Sequence, residues 1–96
     1  MKVAYDSQAD ALSIDLVEVD RWDFGEEIGE GSCTVAIRDG RPVNVELLSP
    51  GANLDALSLA AKRFDLDAQA LLAAARAGLA VPDRPVTVDF GRPSPS

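Results

Sequence analysis

An Asp-Gly pair between two alternating runs of apolar residues most constrains how this chain can fold. The apolar residues occupy every second position, at Cys33, Val35 and Ile37 before the pair and at Val43, Val45 and Leu47 after it. A period of two places such side chains on one face of a β-strand. Asp39-Gly40 is a favoured pair for a type I′ turn, so the segment predicts an antiparallel hairpin.

A shorter hairpin is predicted at the start of the chain. Its alternating apolar residues are Val3, Tyr5, Leu12, Ile14 and Leu16. The link from Asp6 to Asp10 is short and polar, and both carboxylates can accept backbone N–H groups across a turn. We assign a structural role to eight residues of the two hairpins: Tyr5, Asp6, Ala9, Asp10, Leu12, Ile14, Asp39 and Gly40.

Residues 49–51, Ser-Pro-Gly, are expected to end the last strand of the second hairpin, and the pattern after them is helical. Apolar residues then recur at offsets of three and four, at Leu54, Leu57, Ala61 and Phe64. This spacing predicts a helix with Asn53 as its N-cap. A second helix is predicted over about residues 68–77, with Asp67 as N-cap and Gly78 as C-cap. Residues 86–90 are typical of a final strand.

These elements predict one α+β domain over residues 1–91. We expect a four- to five-stranded antiparallel sheet of two hairpins, packed by two short C-terminal helices. A length of 96 residues supports a single modest core. The Pro- and Ser-rich residues 92–96 are expected to form a disordered tail.

The charge distribution favours a basic partner. The chain carries 16 acidic and 9 basic residues, a net charge of -7, which repels nucleic acid. Residues 1–30 hold nine of the acids against only Lys2 and Arg21. The segment after the first hairpin also contains two aromatic residues, which either fold back on the body or form a contact surface. The candidate partner-binding residues are Asp20, Trp22, Asp23, Phe24, Glu26, Glu27 and Glu30.

The types of residue present limit the chemistry. There is no histidine, so Ser-His and Cys-His catalysis are excluded. Cys33 lies on an apolar strand face, where cysteine is usually a small buried hydrophobe. Asp6 and Asp10 could ligate a hard cation or act as an acid/base pair, but their spacing across a turn matches no known site. We expect no catalytic residue, metal or cofactor.

Location can also be predicted from the sequence. No stretch approaches the roughly 20 apolar residues that cross a bilayer, and the first residues run directly into a strand rather than a signal peptide. One cysteine cannot form an intramolecular disulfide. We therefore expect a cytoplasmic protein that does not contact membranes.

Three blocks of the sequence resemble a known family. They are the run Tyr5-Asp6-x-x-Ala9-Asp10-Ala11-Leu12-x-Ile14, the acidic residues 26–31, and the hairpin Asp39-Gly40-x-Pro42-Val43-x-Val45-Glu46-Leu47-Leu48. Over about residues 2–50 the chain resembles the small bacterial family named domain of unknown function 2283. The chain differs by Ser13, where a bulky residue is frequent, and by its helical extension after Pro50. The resemblance implies no defined activity, although some members look like the smaller partner in pairs of toxin-antitoxin type.

The resulting expectation is a non-enzymatic protein-binding module. Its partner would be a basic protein, such as the toxin of an antitoxin-like pair, or a second copy of the chain. A homodimeric structural protein and a carboxylate-based metal enzyme are the alternatives. We do not expect nucleic acid as a partner, because the acidic charge repels it.

Overall fold

Both predicted hairpins form, and their turns adopt the backbone that the sequence favours. β1 pairs antiparallel with β2, and β4 with β5. The computed structural model describes residues 1–89 and, as backbone, residues 92 and 93. The strands in this part are β1 Lys2–Asp6, β2 Ala11–Asp15, β3 Phe24–Ile28, β4 Cys33–Arg38, β5 Arg41–Leu48, β6 Pro85–Asp89 and the two-residue β7 Arg92–Pro93. Asp39 and Gly40 have φ angles of 53° and 76°, as a type I′ turn requires.

The sheet is larger than predicted. Over the described residues it is an open antiparallel sheet of six strands in the order β3-β4-β5-β2-β1-β6, with β7 paired to the end of β6. The prediction of four to five strands was therefore too low. The two hairpins join through β2 and β5, which are far apart in sequence. This pairing leaves β3 as the last strand at one edge of the sheet.

The described residues form three helices rather than the predicted two: α1 Pro50–Asn53, α2 Asp55–Phe64 and α3 Ala68–Ala80. Asn53 is the last residue of α1 and not an N-cap; its side-chain amide donates to the carbonyls of Leu48 and Ser49. Asp67 does cap α3, because its carboxylate accepts the Ala70 N–H at 3.1 Å. Gly78 lies inside α3 and does not end it.

The core lies between the helices and one face of the sheet. Its largest fully buried side chains are Leu12, Ile14, Leu47, Leu57, Leu71, Val3, Val35, Val45 and Val88. α3 packs on β1, β2 and β6, whereas α2 packs on β3, β4 and β5. The apolar side chains whose alternation predicted the strands therefore lie on the side of the sheet that faces the helices.

The C-terminal end extends the sheet. The Met1 amino group donates to the Val88 carbonyl at 2.7 Å, and the Val88 N–H donates to the Met1 carbonyl at 2.7 Å. β7 pairs with the end of β6 at positions 92 and 93, within the stretch expected to be a disordered tail. Phe90, Gly91 and residues 94–96 lie outside the described residues. No helix in the described part is long and apolar enough to cross a membrane.

Candidate protein-binding surface

The acidic segment after the first hairpin is fixed to the body and ends in the edge strand β3. The Leu16 N–H donates to the Val43 carbonyl at 2.9 Å, and the Asp23 N–H donates to the Ile37 carbonyl at 2.8 Å. β3 itself has no alternating apolar pattern, so local periodicity does not explain a strand there. Backbone pairing with the strongly predicted β4 is what orders these residues.

Three of the candidate acids are bound within the molecule. Asp20 forms a 2.9 Å ion pair with Arg38. The Asp23 carboxylate accepts the Asp39 N–H at 2.9 Å, which ties the acidic segment to the β4–β5 turn. Glu26 accepts a 2.5 Å hydrogen bond from Arg63 on α2. These three carboxylates therefore already interact with groups of this chain, and their charges are less available to a partner.

Glu27 and Glu30 differ from those three acids. Both are exposed, and neither forms an ion pair or a side-chain hydrogen bond with the described residues. Glu27 lies on β3, and Glu30 lies in the turn that connects β3 to β4. They are the two candidate acids whose charge is available to a partner.

The two candidate aromatic residues are exposed although their backbone is held in place. Trp22 is 53% exposed and Phe24 is 58% exposed. Large apolar side chains of this exposure, close together in sequence at a sheet edge, are typical of contact surfaces rather than cores. The segment thus folds back on the body while its aromatic side chains do not. We define Trp22, Phe24, Glu27 and Glu30 as the β3 surface.

Arg38 and Arg63 are residues of this region that sequence reasoning did not identify. Arg38 is 18 positions from Asp20, and Arg63 is 37 positions from Glu26. The hydrogen bond and charge of Glu26 raise the pKa of the Arg63 guanidinium. No local sequence signal could have paired these residues. The packing of α2 beside β3 brings Arg63 to Glu26, and the attachment of the acidic segment to the end of β4 brings Asp20 to Arg38.

The first hairpin uses its polar residues to hold its own turn. One Asp6 carboxylate oxygen accepts the Gln8 N–H at 3.0 Å and the Ala9 N–H at 3.2 Å. The Tyr5 hydroxyl donates to Asp10 at 2.6 Å, and this hydrogen bond is the main cause of a raised Tyr5 pKa. Leu12 and Ile14 are fully buried. Asp6 and Asp10 therefore have structural partners in this turn.

The same turn is joined to the loop between α3 and β6. Asp83 accepts the Ser7 N–H at 2.9 Å and the Ser7 hydroxyl at 2.7 Å. These bonds lower the pKa of the Asp83 carboxyl. In the part of the chain that the structure describes, no group of three or more His, Cys, Asp or Glu residues is placed to hold a metal ion.

Cys33 lies in the core and not at a surface. Its side chain is fully buried, and burial raises the pKa of the thiol to about 11. A thiol with such a pKa is almost entirely protonated at neutral pH and is a poor nucleophile.

The face of the sheet opposite the helices carries small and polar side chains. One cross-strand row consists of Gly25, Ala36, Asn44, Asp15, Lys2 and Thr87. Asn44 donates to Ser13 at 2.8 Å and to Asp15 at 2.7 Å. A shallow depression of about 500 Å³ lies over β1, β2 and β5. Among the described residues no buried side-chain polar atom lacks a partner, so none marks this depression as a ligand site.

No protein-family model, curated protein or solved structure matches the chain. The resemblance of residues 2–50 to domain of unknown function 2283 stays a prediction.

Proposed function

We propose that this chain is a non-enzymatic protein-binding module whose β3 surface binds a basic protein. The observation that carries the proposal is that Trp22 and Phe24 are exposed on the same edge segment as Glu27 and Glu30, whose carboxylates form no ion pair with the described residues. Aromatic side chains supply apolar contact area, and charges of one sign select and steer a partner of the opposite sign.

The charge of the whole chain supports the same partner. A net charge of -7 attracts a basic protein at long range, and the strength of this attraction falls as salt is added. The resemblance described above favours a narrower version, in which the chain acts like an antitoxin and the partner is a small basic toxin.

Trp22 provides the test, because it is the single tryptophan in the chain. A short peptide of alternating lysine and valine is added at low salt while the emission of Trp22 is followed. We expect the emission to shift to shorter wavelength as the indole is covered, and the shift to weaken at high salt. A glutamate–valine peptide of the same length should leave the emission unchanged.

Two sets of variants assign the binding to the β3 surface. Phe24→Ala and Glu27→Gln should each lower the affinity for the lysine–valine peptide by about threefold or more. Val81→Ala and Asp55→Asn are matched controls, because they alter an exposed apolar residue and an exposed acid on other elements. Absence of any emission change with the basic peptide, or an equal loss in the control variants, would contradict the proposal.

A further inference from the structure

The hydrogen-bonding direction of the edge strand follows from the interior of the sheet. The Leu48 N–H donates to the Ser32 carbonyl at 2.7 Å, across the β4–β5 pair. Backbone groups along a strand point alternately to its two neighbours. Thr34 therefore directs its N–H and C=O toward β5, whereas Cys33 and Val35 direct theirs toward β3.

This alternation continues into β3. Cys33 is opposite Ile28, and Val35 is opposite Glu26, so Ile28 and Glu26 point their backbone groups toward β4. The residues between them, Gly25 and Glu27, consequently point their N–H and C=O groups away from the sheet. Because β3 is the last strand at this edge, these groups face solvent. An open strand edge of this kind is a template for a further strand.

The two sides of this edge differ in chemistry. Phe24 is opposite the buried Ile37, so its side chain lies on the side of the helices. Glu27 is opposite Thr34 and lies on the other side, where no described helix packs. A strand added here would place alternate side chains beside Phe24 and beside Glu27. Apolar residues suit the first position and basic residues suit the second.

A second copy of this chain does not suit the same edge. Pairing two β3 edges would bring Glu27 of one copy near Glu27 of the other, and like charges across a strand pair are destabilising. Each copy also carries a net charge of -7. The acidic edge therefore disfavours self-association and favours a basic strand.

We infer that the partner binds as an additional antiparallel strand on β3, through an extended segment in which basic and apolar residues alternate. The inference rests on the proposed function and specifies its geometry. The direction is antiparallel because every strand pair of the described sheet is antiparallel. In that register the basic residues oppose Glu27 and exchange backbone hydrogen bonds with it.

Backbone N-methylation of the lysine–valine peptide tests this geometry. One peptide is methylated on the lysine amides and a second on the valine amides, so that charge and side chains stay the same. Methylation of the lysine amides should weaken binding about tenfold or more, because those N–H groups face β3. Methylation of the valine amides should leave the affinity close to that of the unmodified peptide.

The outcomes separate the geometry from the function. If the unmodified peptide does not bind, the proposed function fails. If it binds and the two methylated peptides bind equally well, strand addition is overturned while a basic partner is retained. A loss confined to valine methylation would overturn the antiparallel register.

A pair of protein variants provides an independent measurement. Glu27→Pro removes a backbone N–H that faces solvent, a position where an edge strand tolerates proline. Glu27→Gln removes the same charge but keeps the N–H. We expect both variants to retain the native circular dichroism spectrum, and the proline variant to bind the lysine–valine peptide at least about tenfold more weakly than the glutamine variant. Equal affinities of the two folded variants would overturn the inference.

Discussion

Arg63 on α2 and Glu26 on β3 form an ion pair that neutralises one of two adjacent acids on the edge strand. Its neighbour Glu27 points to the other side of the sheet and has no such partner among the described residues. The two consecutive glutamates therefore differ in how much of their charge a partner meets: Arg63 neutralises Glu26, whereas Glu27 keeps its full negative charge.

This difference predicts the binding of the lysine–valine peptide. The double variant Glu26→Gln with Arg63→Gln should change its affinity little, because the pair it removes carries no net charge, whereas Glu27→Gln should weaken it. Arg63→Gln should strengthen binding by about two- to fivefold at low salt, because it releases the Glu26 charge. Titrations of the three variants by Trp22 emission measure these affinities.

The stability of the Arg63→Gln variant serves as the control for this prediction. An exposed ion pair contributes less than about 1 kcal/mol, so the melting temperature should change little. Equal losses of affinity in the double variant Glu26→Gln with Arg63→Gln and in Glu27→Gln would contradict the assigned roles.

Gly78 allows α3 to approach β1 closely. A Cβ at this position would overlap Val3 Cγ1 and come within 3.0 Å of Leu12 Cδ1. Alanine favours a helix by about 1 kcal/mol over glycine, but overpacking a buried site costs about 1–3 kcal/mol. Gly78→Ala should therefore lower the free energy of unfolding, measured by urea denaturation.

The matched control for this substitution is Gly51→Ala in α1, where an added Cβ would meet no atom within 4 Å. It should change the free energy of unfolding much less. The double variant Val3→Ala with Gly78→Ala should be less destabilised than the sum of the single changes, because the overlap is relieved. Additive effects would show that this contact is not the cause.

The hydrogen bonds that Asp83 accepts from Ser7 predict that the protein loses stability in acid. The two hydrogen bonds from Ser7 hold the pKa of the folded carboxyl below its ordinary value of 3.8. The folded state therefore favours the charged form, and its contribution is present above the unfolded pKa and lost as pH falls through the folded pKa. Asp83→Asn should be less stable than the parent near neutral pH.

The difference between the two proteins should shrink below pH 3.8, as the parent carboxyl becomes protonated. Denaturation curves at neutral pH and at several acidic values measure this convergence. Asparagine suits the comparison because it tolerates the positive φ of 65° at this position. A stability difference that stays constant with pH would exclude the carboxyl as its source.

Cys33 should react only when the protein opens. Its thiol is fully buried with a pKa raised to about 11, so a disulfide reagent such as dithionitrobenzoate should label the native protein slowly. The protein unfolded in urea provides the control and should react rapidly. Complete labelling of the native protein at the rate of the unfolded one would place the thiol at the surface.

The hairpins show what local patterns can predict. The alternation around Asp39-Gly40 and the turn-forming residues between Asp6 and Asp10 depend on neighbours only a few positions away. The period of the apolar residues also marked which side of each strand is buried. Helix capping by Asp67 was predictable for the same reason, because the contact spans three residues.

The helix boundaries and the edge strand were less predictable. Asn53 was expected to cap a helix but instead binds the carbonyls that end β5. Gly78 has the sequence signature of a helix end, yet α3 continues past it because close packing on Val3 requires glycine there. β3 has no alternating apolar pattern from which it could be predicted, because it is ordered by pairing with β4 and not by burial of an apolar side of its own.

The sequence by itself determined the α+β class, the two hairpins, the helical C-terminal half and the excess of acidic charge, because all of these depend on composition or local periodicity. Only the tertiary structure decided that β2 joins β5, that β3 forms the open edge, and that Arg38 and Arg63 neutralise Asp20 and Glu26 while Glu27 and Glu30 stay unpaired among the described residues. Those features require contacts between residues distant in sequence, which form when burial of the apolar faces fixes the arrangement of the whole chain.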